Sequence, residues 1–300
     1  MSSHSSTMSS LQERLDFIGL GVQRSATTWL FESIETHPDI RAALHGDNKE
    51  LNFFNHNYEK GYASYHRRFE FGPWKTGEYS TLYFHDRNVP ERIHLYNPDA
   101  LLIVAIRDPV DRAFSQHKHE IRRNRIPPEL YRFEDALEHN PSYTEQGNYA
   151  THLENYLRYF NLNNIHIVSY DDVTINPRRV LADLFTFLGV SSDFEAPTLF
   201  ERINVAKGSR NHSLRLFVSS TSDVVRKALG EPAVKAVKAT GLPSLIRRAN
   251  EVDLDETIVS PMSQDTQDRL REHFTPEIER FERLTGRDLS SWKRSMVTIA

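Results

Sequence analysis

Residues 15–28 read LDFIGLGVQRSATT, an apolar run that enters a turn of small and hydroxyl residues around a single cation, Arg24. The segment WLFESI (29–34) follows directly and has its apolar residues at helical spacing. A strand that leads through a turn into a helix leaves unpaired backbone N–H groups, and the positive end of the helix dipole, at that turn. The stretch therefore predicts an anion site after the first strand.

The residue types in the turn suit a phosphate. Ser25 and Ala26 are small enough for the backbone to approach a ligand, and the hydroxyls of Thr27 and Thr28 add hydrogen-bond donors. Arg24 supplies a charged fork that matches phosphate oxygens. An ordinary helix N-cap beside a surface arginine explains the same residues, so the turn alone leaves both interpretations open.

The rest of the chain alternates apolar runs with helical patterns. We expect strands at 15–22, 77–80, 101–106 and 165–169, and helices at 28–35, 110–123, 149–160, 178–188 and 264–284. Such alternation is typical of a mostly parallel sheet with helices on both faces, which is a three-layer α/β/α fold. Ligands bind at the carboxyl ends of the strands in these sheets, where Arg24 and Arg107 both stand.

Length and composition indicate a globular protein. The 300 residues are 38% hydrophobic and carry a net charge of −4, which argues against a nucleic-acid partner. No cysteine is present, so disulfides and thiolate metal sites are excluded. We expect a disordered tail over residues 1–14 and one domain over 15–300, with a helical cap around 213–250.

The sequence also carries expectations about location and partners. The N-terminal residues MSSHSSTMSSLQER contain no apolar segment, and no run approaches the length of a membrane span. We therefore expect a cytoplasmic protein with no stable membrane insertion. The histidines show no metal-ligand spacing, so we expect no metal cofactor. A homodimer is left open.

The turn departs from the phosphate loop of nucleoside triphosphatases, G-x-x-x-x-G-K-[ST]. Ala26 stands in place of the second glycine and Thr27 in place of the lysine. Such a turn suits a donor whose transferred group needs less charge neutralisation than a γ-phosphoryl, and sulfuryl is such a group. A nucleotide kinase is the alternative enzyme, and a catalytically degenerate nucleotide-binding protein is the alternative without turnover.

Several motifs in sequence order resemble the sulfotransferases that use 3′-phosphoadenosine 5′-phosphosulfate (PAPS), particularly the heparan-sulfate-type and bacterial branch. The resemblance runs from about Phe17 to Trp292 through GVQRSATTWL, HPDI, KELNFF, NYEKGYASY, IRDPVDRAFSQHKH, FLGV and RLREHFTPEIERFERLTGRDLSSW. It implies the P-loop-NTPase-like sulfotransferase fold. It also implies transfer of a sulfonate group from PAPS to a hydroxyl or amine of a carbohydrate, lipid or secondary metabolite, with PAP as the product and no metal.

The resemblance implies that the first turn binds the 5′-phosphosulfate of the donor, through Arg24, Ser25, Ala26, Thr27, Thr28 and Trp29. The family usually has a lysine at the position of Arg24 and a glycine at that of Ala26. The arginine keeps the charge. Because alanine disfavours positive φ, we expect a loop that does not need positive φ at this residue.

Two further motifs complete the expected donor site. The resemblance implies that Arg107 and Ser115 bind the 3′-phosphate, whereas a simple salt bridge between Arg107 and Asp108 is the alternative. A late loop that closes over the nucleotide in the family is matched by KGSR, although a solvated basic loop explains it as well. Its residues are Lys207, Gly208, Ser209 and Arg210.

Transfer of sulfonate to an alcohol needs a base near the acceptor hydroxyl. Glu50 in KELNFF matches the catalytic base of the heparan-type branch, and we expect Lys49 and Arg24 to act beside it. The local alternative is that Glu50 forms a charge pair at a helix N-terminus. His45 and His56 are the next candidates for the base.

One segment departs from the family. Residues 78–80 match E-K-[ST], where heparan-type members place a lysine near the transferred sulfonate, but Tyr79 stands in its place. The role of that lysine is therefore vacant, or filled by Lys49 or Lys75. The departure weakens the case for a polysaccharide acceptor.

Overall fold

The structure is a computed structural model that describes residues 13–44, 49–200, 207–209, 251–253 and 259–293. The strands are β1 (Phe17–Gly21), β2 (Ile40–Arg41), β3 (Lys75–Tyr79), β4 (Leu101–Ile106), β5 (Ile165–Ser169), β6 (Lys207–Ser209) and β7 (Glu251–Asp253). The helices are α1 (Thr27–Glu35), α2 (Phe53–His56), α3 (Tyr62–His66), α4 (Val89–Tyr96), α5 (Pro109–Arg122), α6 (Phe133–His139), α7 (Ser142–Glu145), α8 (Tyr149–Leu157), α9 (Tyr170–Ile175), α10 (Pro177–Leu188) and α11 (Gln264–Thr285).

The strands β1 to β5 form one parallel sheet in the order β2-β3-β1-β4-β5. The predicted α/β fold with a mostly parallel sheet is therefore confirmed. The strands expected at 101–106 and 165–169 have those bounds, and those expected at 15–22 and 77–80 lie at 17–21 and 75–79. The sequence did not predict β2, because two residues are too few for a recognisable pattern.

The order of the strands places the switch point of the sheet between β1 and β4. From β1 the chain continues to β2 and β3 on one side of the sheet, and then to β4 and β5 on the other side. The pairing of β1 with β4 extends past the end of β1, since the N–H of Val22 donates to the carbonyl oxygen of Ala105 over 2.7 Å. The segments after β1 and β4 therefore leave from adjacent positions, where ligands bind in such folds.

Apolar side chains cover both faces of the sheet. Every residue of β1 is buried, as expected for a central strand of a parallel sheet. On one face, α1 and α10 pack over the strands, with Leu30 and Phe185 fully buried. Aromatic side chains from α2, α3, α4 and the segment after β3 pack together in a second cluster, composed of Phe53, Phe54, Tyr65, Tyr83 and Tyr96.

A buried ion pair attaches α11 to the end of β4. Nη1 of Arg271 lies 2.7 Å from Oδ2 of Asp108, and both side chains are at most 10% exposed. The same nitrogen of Arg271 also donates to the carbonyl oxygen of Trp292. The other carboxylate oxygen of Asp108 accepts the N–H of Val110 over 2.9 Å, in the first turn of α5. The last long helix thus stabilises the β4–α5 connection.

The contacts divide the chain into two compact units. The first comprises residues 1–116, 137–204 and 263–300 and contains the parallel sheet; the second comprises 117–136 and 205–262. In the second unit, β6 and β7 form an antiparallel pair with Gly208 opposite Val252. A ring nitrogen of His117 lies 3.0 Å from the carbonyl oxygen of Tyr131. The expected helical cap around 213–250 lies outside the described residues, and the single domain stays a prediction.

The ion pair of α11 leads to a prediction about stability. We expect Arg271→Met to lower the free energy of unfolding by about 3–5 kcal/mol, because the substitution leaves the buried carboxylate of Asp108 without its counterion. Arg280→Met is the matched control on the same helix. Arg280 pairs with Glu154 and Glu277 at the surface, where such pairs contribute about 0–1 kcal/mol. Urea unfolding of both variants checks this, and equal losses would contradict the assignment.

Candidate active site

The turn after β1 contains two left-handed residues that are not glycine. Arg24 has a φ of 72° and Ala26 a φ of 61°. The expectation that the loop does not need positive φ at Ala26 was therefore wrong. The left-handed conformation costs a non-glycine residue about 1–2 kcal/mol. The turn adopts it because the chain must reverse from the end of β1 into α1, and this requirement outweighs the preference of alanine.

The N-terminus of α1 has unsatisfied donors. Ala26 occupies the N-cap position, and no side chain of the described residues caps the helix there. The N–H groups of the first helical turn, from Thr27, Thr28 and Trp29, are therefore not capped by a side chain, as an anion-binding turn requires. The hydroxyl of Ser25 is fully buried and also has no hydrogen-bond partner within the described structure. This end of the site thus has the chemistry of an anion cradle.

Lys49 lies against the same turn. Its Nζ is 3.2 Å from Oγ1 of Thr27 and 3.3 Å from Oγ1 of Thr28, and it stands over the ring of Tyr79, 5.7 Å from the centroid. Burial lowers the pKa of Lys49; the neighbouring charge of Glu50 opposes this effect, and the charge of Arg24 adds to it. The turn therefore has two cationic side chains, and Lys49 comes from a different segment.

The structure distinguishes the two lysines that the sequence left open. Lys75 lies at the amino end of β3, where its Nζ is 3.2 Å from Oδ1 of Asp16. That end of a parallel strand is opposite to the site. Tyr79 is fully buried, packs edge-on against Phe31, and donates its hydroxyl to the carbonyl oxygen of Gly21 over 3.0 Å. Tyr79 therefore supports the core, and Lys49 supplies the charge above it.

The carboxylate of Glu50 is held beside Lys49. It accepts the N–H of Thr81 over 2.8 Å and the hydroxyl of Thr81 over 2.8 Å, and lies 3.6 Å from Nζ of Lys49. The backbone N–H of Glu50 donates to the carbonyl oxygen of Tyr79 over 2.9 Å. Glu50 itself has a φ of 62° and precedes α2, which begins at Phe53, so it does not lie in a helix. Its ion pair with Lys49 lies two residues before Asn52, the N-cap of α2, so the charge pair near a helix N-terminus and the role of base both stay open.

Of the two histidines that are the next candidates for the base, the structure describes one. His56 is the last residue of α2, whereas His45 lies outside the described residues.

Arg107 and Ser115 extend the site along α5. The guanidinium of Arg107 stacks on the ring of Tyr170, with Cζ 4.4 Å from the centroid, and lies 3.9 Å from the carboxylate of Asp111. Its Nε is buried and has no hydrogen-bond partner within the described structure. The expected alternative, a salt bridge between Arg107 and Asp108, is not formed, because Asp108 pairs with Arg271 instead.

A hydrogen bond joins the two motifs. Nε of Arg24 donates to Oγ of Ser115 over 3.2 Å, across 91 positions of sequence. Asp111 and Ser115 are one turn apart on α5 and share a face of the helix. The guanidinium groups of Arg24 and Arg107 therefore approach the same face of one helix within one turn of each other. The structure thus brings together the residues that the sequence assigned to the two ends of one nucleotide.

The remaining predicted site residues have different positions. The side chain of Trp29 is buried, and its indole N–H donates to the carbonyl oxygen of Thr198 over 3.0 Å, so only its backbone N–H faces the turn. Lys207, Gly208 and Ser209 form β6 in the second unit. Arg210 lies outside the described residues. The role of this late loop stays a prediction.

Comparison with known proteins agrees with the sequence motifs. The sulfotransferase domain family matches residues 14–228 of this chain. The chain belongs to the sulfotransferase family. The resemblance stated above is therefore confirmed.

This member of the sulfotransferase family is also similar to individual proteins. Heparan sulfate glucosamine 3-O-sulfotransferase 3B1 of Homo sapiens is 26% identical over 283 residues, which cover 90% of this chain and 63% of that protein. Heparan sulfate glucosamine 3-O-sulfotransferase 6 of Homo sapiens is 32% identical over 180 residues, 57% of this chain and 51% of that protein. This chain thus spans less than two thirds of these relatives.

The fold of this family member also occurs in a solved structure. The crystal structure of a sulfotransferase from Alicyclobacillus acidocaldarius superposes with a TM-score of 0.65 at 23% identity, covering 94% of this chain and 99% of that one. In the part of the chain described here, no helix has the length and apolar character needed to cross a membrane. The described residues also include no group of three or more His, Asp and Glu side chains arranged to hold a metal ion.

Sequence reasoning missed two residues that shape the site of this family member. Thr81 orients the carboxylate of Glu50, and Glu78 is a fully buried carboxylate beside the same loop. The segment EYST (78–81), a glutamate and two hydroxyls at the end of a predicted strand, was the available signal. The role of this segment depends on the loop that packs against it, and local sequence does not specify that packing.

The left-handed alanine leads to a prediction with a matched control. Ala26→Gly and Ala113→Gly each remove a buried methyl group, but Ala113 lies inside α5, in the right-handed conformation. Only the first substitution relieves the cost of positive φ. We therefore expect Ala26→Gly to lower the free energy of unfolding by about 1–2 kcal/mol less than Ala113→Gly, measured by urea unfolding. Equal losses would show that Ala26 is not left-handed in solution.

Proposed function

We propose that this chain transfers the sulfonate group of PAPS to a hydroxyl or amine of an acceptor, with Glu50 as the general base. The observation that carries the proposal is the hydrogen bond between Arg24 and Ser115, since it unites the two predicted phosphate-binding motifs in one site. Membership of the sulfotransferase family supports it. The names of the relatives favour a carbohydrate among the acceptor classes expected from the sequence, which are carbohydrates, lipids and secondary metabolites.

The residues present fit a donor with anionic groups at both ends. The uncapped N-terminus of α1, Arg24 and Lys49 suit the 5′-phosphosulfate, because oriented N–H groups and cations stabilise its oxygens. Arg107 and Ser115 suit the 3′-phosphate, and the unsatisfied Nε of Arg107 is compatible with a missing acceptor. When bound, PAPS supplies the sulfonate group and a phosphate leaving group.

The roles of the side chains follow from their charges and positions. Thr81 holds the carboxylate of Glu50 in one orientation, ready to take the proton of an acceptor hydroxyl as that oxygen becomes a nucleophile. Lys49 and Arg24 place positive charge where negative charge develops on the leaving oxygen. The lowered pKa of Lys49 suits a group that can also donate a proton there.

A direct test is incubation with labelled PAPS and an acceptor panel in the presence of a metal chelator. The panel contains heparan sulfate oligosaccharides, glycolipids and phenolic metabolites. We expect label to pass to one class of acceptor without added metal. A requirement for Mg²⁺ together with affinity for ATP would indicate a nucleotide kinase, and binding of PAP without turnover would indicate a degenerate nucleotide-binding protein.

The assignment of the base predicts the effect of one substitution. Glu50→Gln removes the carboxylate and keeps its size, so we expect kcat to fall by about 10²–10⁴ while the affinity for PAP stays unchanged. Glu59→Gln, at an exposed position, is the control and should keep wild-type kcat. Steady-state kinetics with the acceptor found above measures both. Full kcat in Glu50→Gln would move the base elsewhere, with His45 and His56 the next candidates.

The assignment of the 3′-phosphate site predicts a loss of donor affinity. Arg107→Ala removes charge-assisted hydrogen bonds worth about 1.5–3 kcal/mol, so we expect the Kd for PAP to rise by about 10- to 100-fold. Arg87→Ala, at an exposed position, should leave the Kd unchanged. Titration calorimetry with PAP measures both, and thermal unfolding shows that the variants are folded. An unchanged Kd in Arg107→Ala would remove this residue from the site.

Other expectations from the sequence stay predictions. They are the cytoplasmic location, the single domain, the contribution of residues 207–210 to donor binding, the absence of a nucleic-acid partner, and the homodimer.

A further inference from the structure

A buried carboxylate lies beside the loop that carries Glu50. Glu78 is fully buried in β3, and its carboxylate accepts three hydroxyl groups. The donors are the hydroxyls of Tyr65 at 2.5 Å and Tyr83 at 2.8 Å, both to Oε1, and that of Ser80 at 2.8 Å to Oε2. No step of the mechanism above uses this group.

Two of these hydroxyls connect Glu78 to the loop. Oγ of Ser80 accepts the backbone N–H of Asn52 over 3.0 Å, and the hydroxyl oxygen of Tyr83 accepts the N–H of Phe54 over 3.2 Å. A hydroxyl group has one proton and two lone pairs. Because the carboxylate of Glu78 takes the proton of each hydroxyl, only lone pairs remain for the two N–H groups. Because of the carboxylate, both hydroxyl oxygens therefore face the loop as hydrogen-bond acceptors.

The loop needs such contacts because its backbone is strained. Glu50 has a φ of 62°, a left-handed conformation that glutamate keeps only where its surroundings hold it, whereas Asn52, with a φ of 50°, is of a residue type that adopts this conformation more readily. The side chain of Asn52 does not cap α2, although Asn52 occupies the N-cap position. The N–H of Phe54, in the first turn of α2, instead reaches the hydroxyl of Tyr83. The hydroxyls that Glu78 orients therefore hold residues 50–54 together with the bonds from Glu50 to Tyr79 and Thr81.

We propose that Glu78 is a positioning residue for Glu50, acting through the hydroxyls of Ser80 and Tyr83 on the backbone N–H groups of Asn52 and Phe54. This inference rests on the proposed function, in which Glu50 is the base. Burial raises the pKa of Glu78 to about 7, while the three hydroxyl hydrogen bonds lower it and the charge of Glu50 raises it. Burying a carboxylate without a cation costs free energy, and the hydrogen bonds from its three hydroxyl partners offset part of that cost.

Tyr65 provides a matched control within the same cluster. Its hydroxyl donates to Glu78, as that of Tyr83 does, and the described contacts show no bond from it to the loop. Its ring stacks on Phe53 with centroids 4.1 Å apart, and phenylalanine keeps this stacking. Tyr65→Phe therefore removes one bond to the buried carboxylate and leaves the loop contacts in place.

The experiment compares Ser80→Ala and Tyr83→Phe with Tyr65→Phe in the full chain. We expect the first two to lower kcat by about three- to tenfold each, the effect of one lost hydrogen bond, with the KM for PAPS unchanged. Amide hydrogen exchange should become faster at Asn52 in Ser80→Ala and at Phe54 in Tyr83→Phe. Tyr65→Phe should keep wild-type kcat and wild-type amide exchange at Asn52 and Phe54, even if its free energy of unfolding falls as much as in the other two variants.

A substitution of Glu78 itself tests the polarity of the network. Glu78→Gln keeps the volume and turns one acceptor into an amide donor. If the amide NH₂ faces Ser80, that hydroxyl must accept from it and turn its own proton elsewhere. Oγ of Ser80 keeps its second lone pair for the N–H of Asn52, so we expect kcat to fall by less than in Ser80→Ala, with a smaller increase in amide exchange at Asn52.

The outcomes separate this inference from the proposed function. In a Glu50→Gln background, Ser80→Ala and Tyr83→Phe should lower kcat no further, because they act through Glu50. Wild-type kcat in both single variants, equal loss in Tyr65→Phe, or a full further loss in the Glu50→Gln background would each overturn the inference. Full kcat in Glu50→Gln alone would instead overturn the assignment of the base.

Discussion

The candidate site depends on the parallel arrangement of β3, β1 and β4 as neighbours in one sheet. Parallel strands end at the same edge, so the segments that follow them meet there even though they are far apart in sequence. The turn after β1 supplies Arg24, the segment after β4 supplies Arg107, and the segment after β3 supplies Thr81. The hydrogen bond from Arg24 to Ser115 joins the first two of these segments.

The departures of this chain from the family pattern are related to one another in the structure. At the last residue of β3, where heparan-type members of the family have a lysine, Tyr79 packs into the core and donates its hydroxyl to the carbonyl oxygen of Gly21. The ammonium of Lys49, from another segment, lies over the ring of Tyr79 and against Thr27. The replacement of the family's lysine by Tyr79 is thus accompanied by a cation from another segment, Lys49, above the same ring.

Buried polar groups surround the site and specify its geometry. Asp108 pairs with Arg271 and caps α5, so it does not pair with the neighbouring Arg107. Glu78 orients the hydroxyls that hold the loop of Glu50. Such groups are costly to bury unless all their hydrogen bonds are made, and for that reason they favour one arrangement over its alternatives. Both carboxylates lie at or next to the carboxyl ends of strands, where the chain turns toward the site.

The sequence by itself determined the class of fold, the ends of β4 and β5, the turn around Arg24 and the order of the motifs. These features follow from local periodicity and residue type, which are properties of each segment and do not depend on how the segments pack together. The tertiary structure alone decided that Ala26 is left-handed, that Lys49 rather than Lys75 lies at the turn, and that Asp108 pairs with Arg271. Each of these depends on contacts between distant segments, and local sequence does not encode which segments meet.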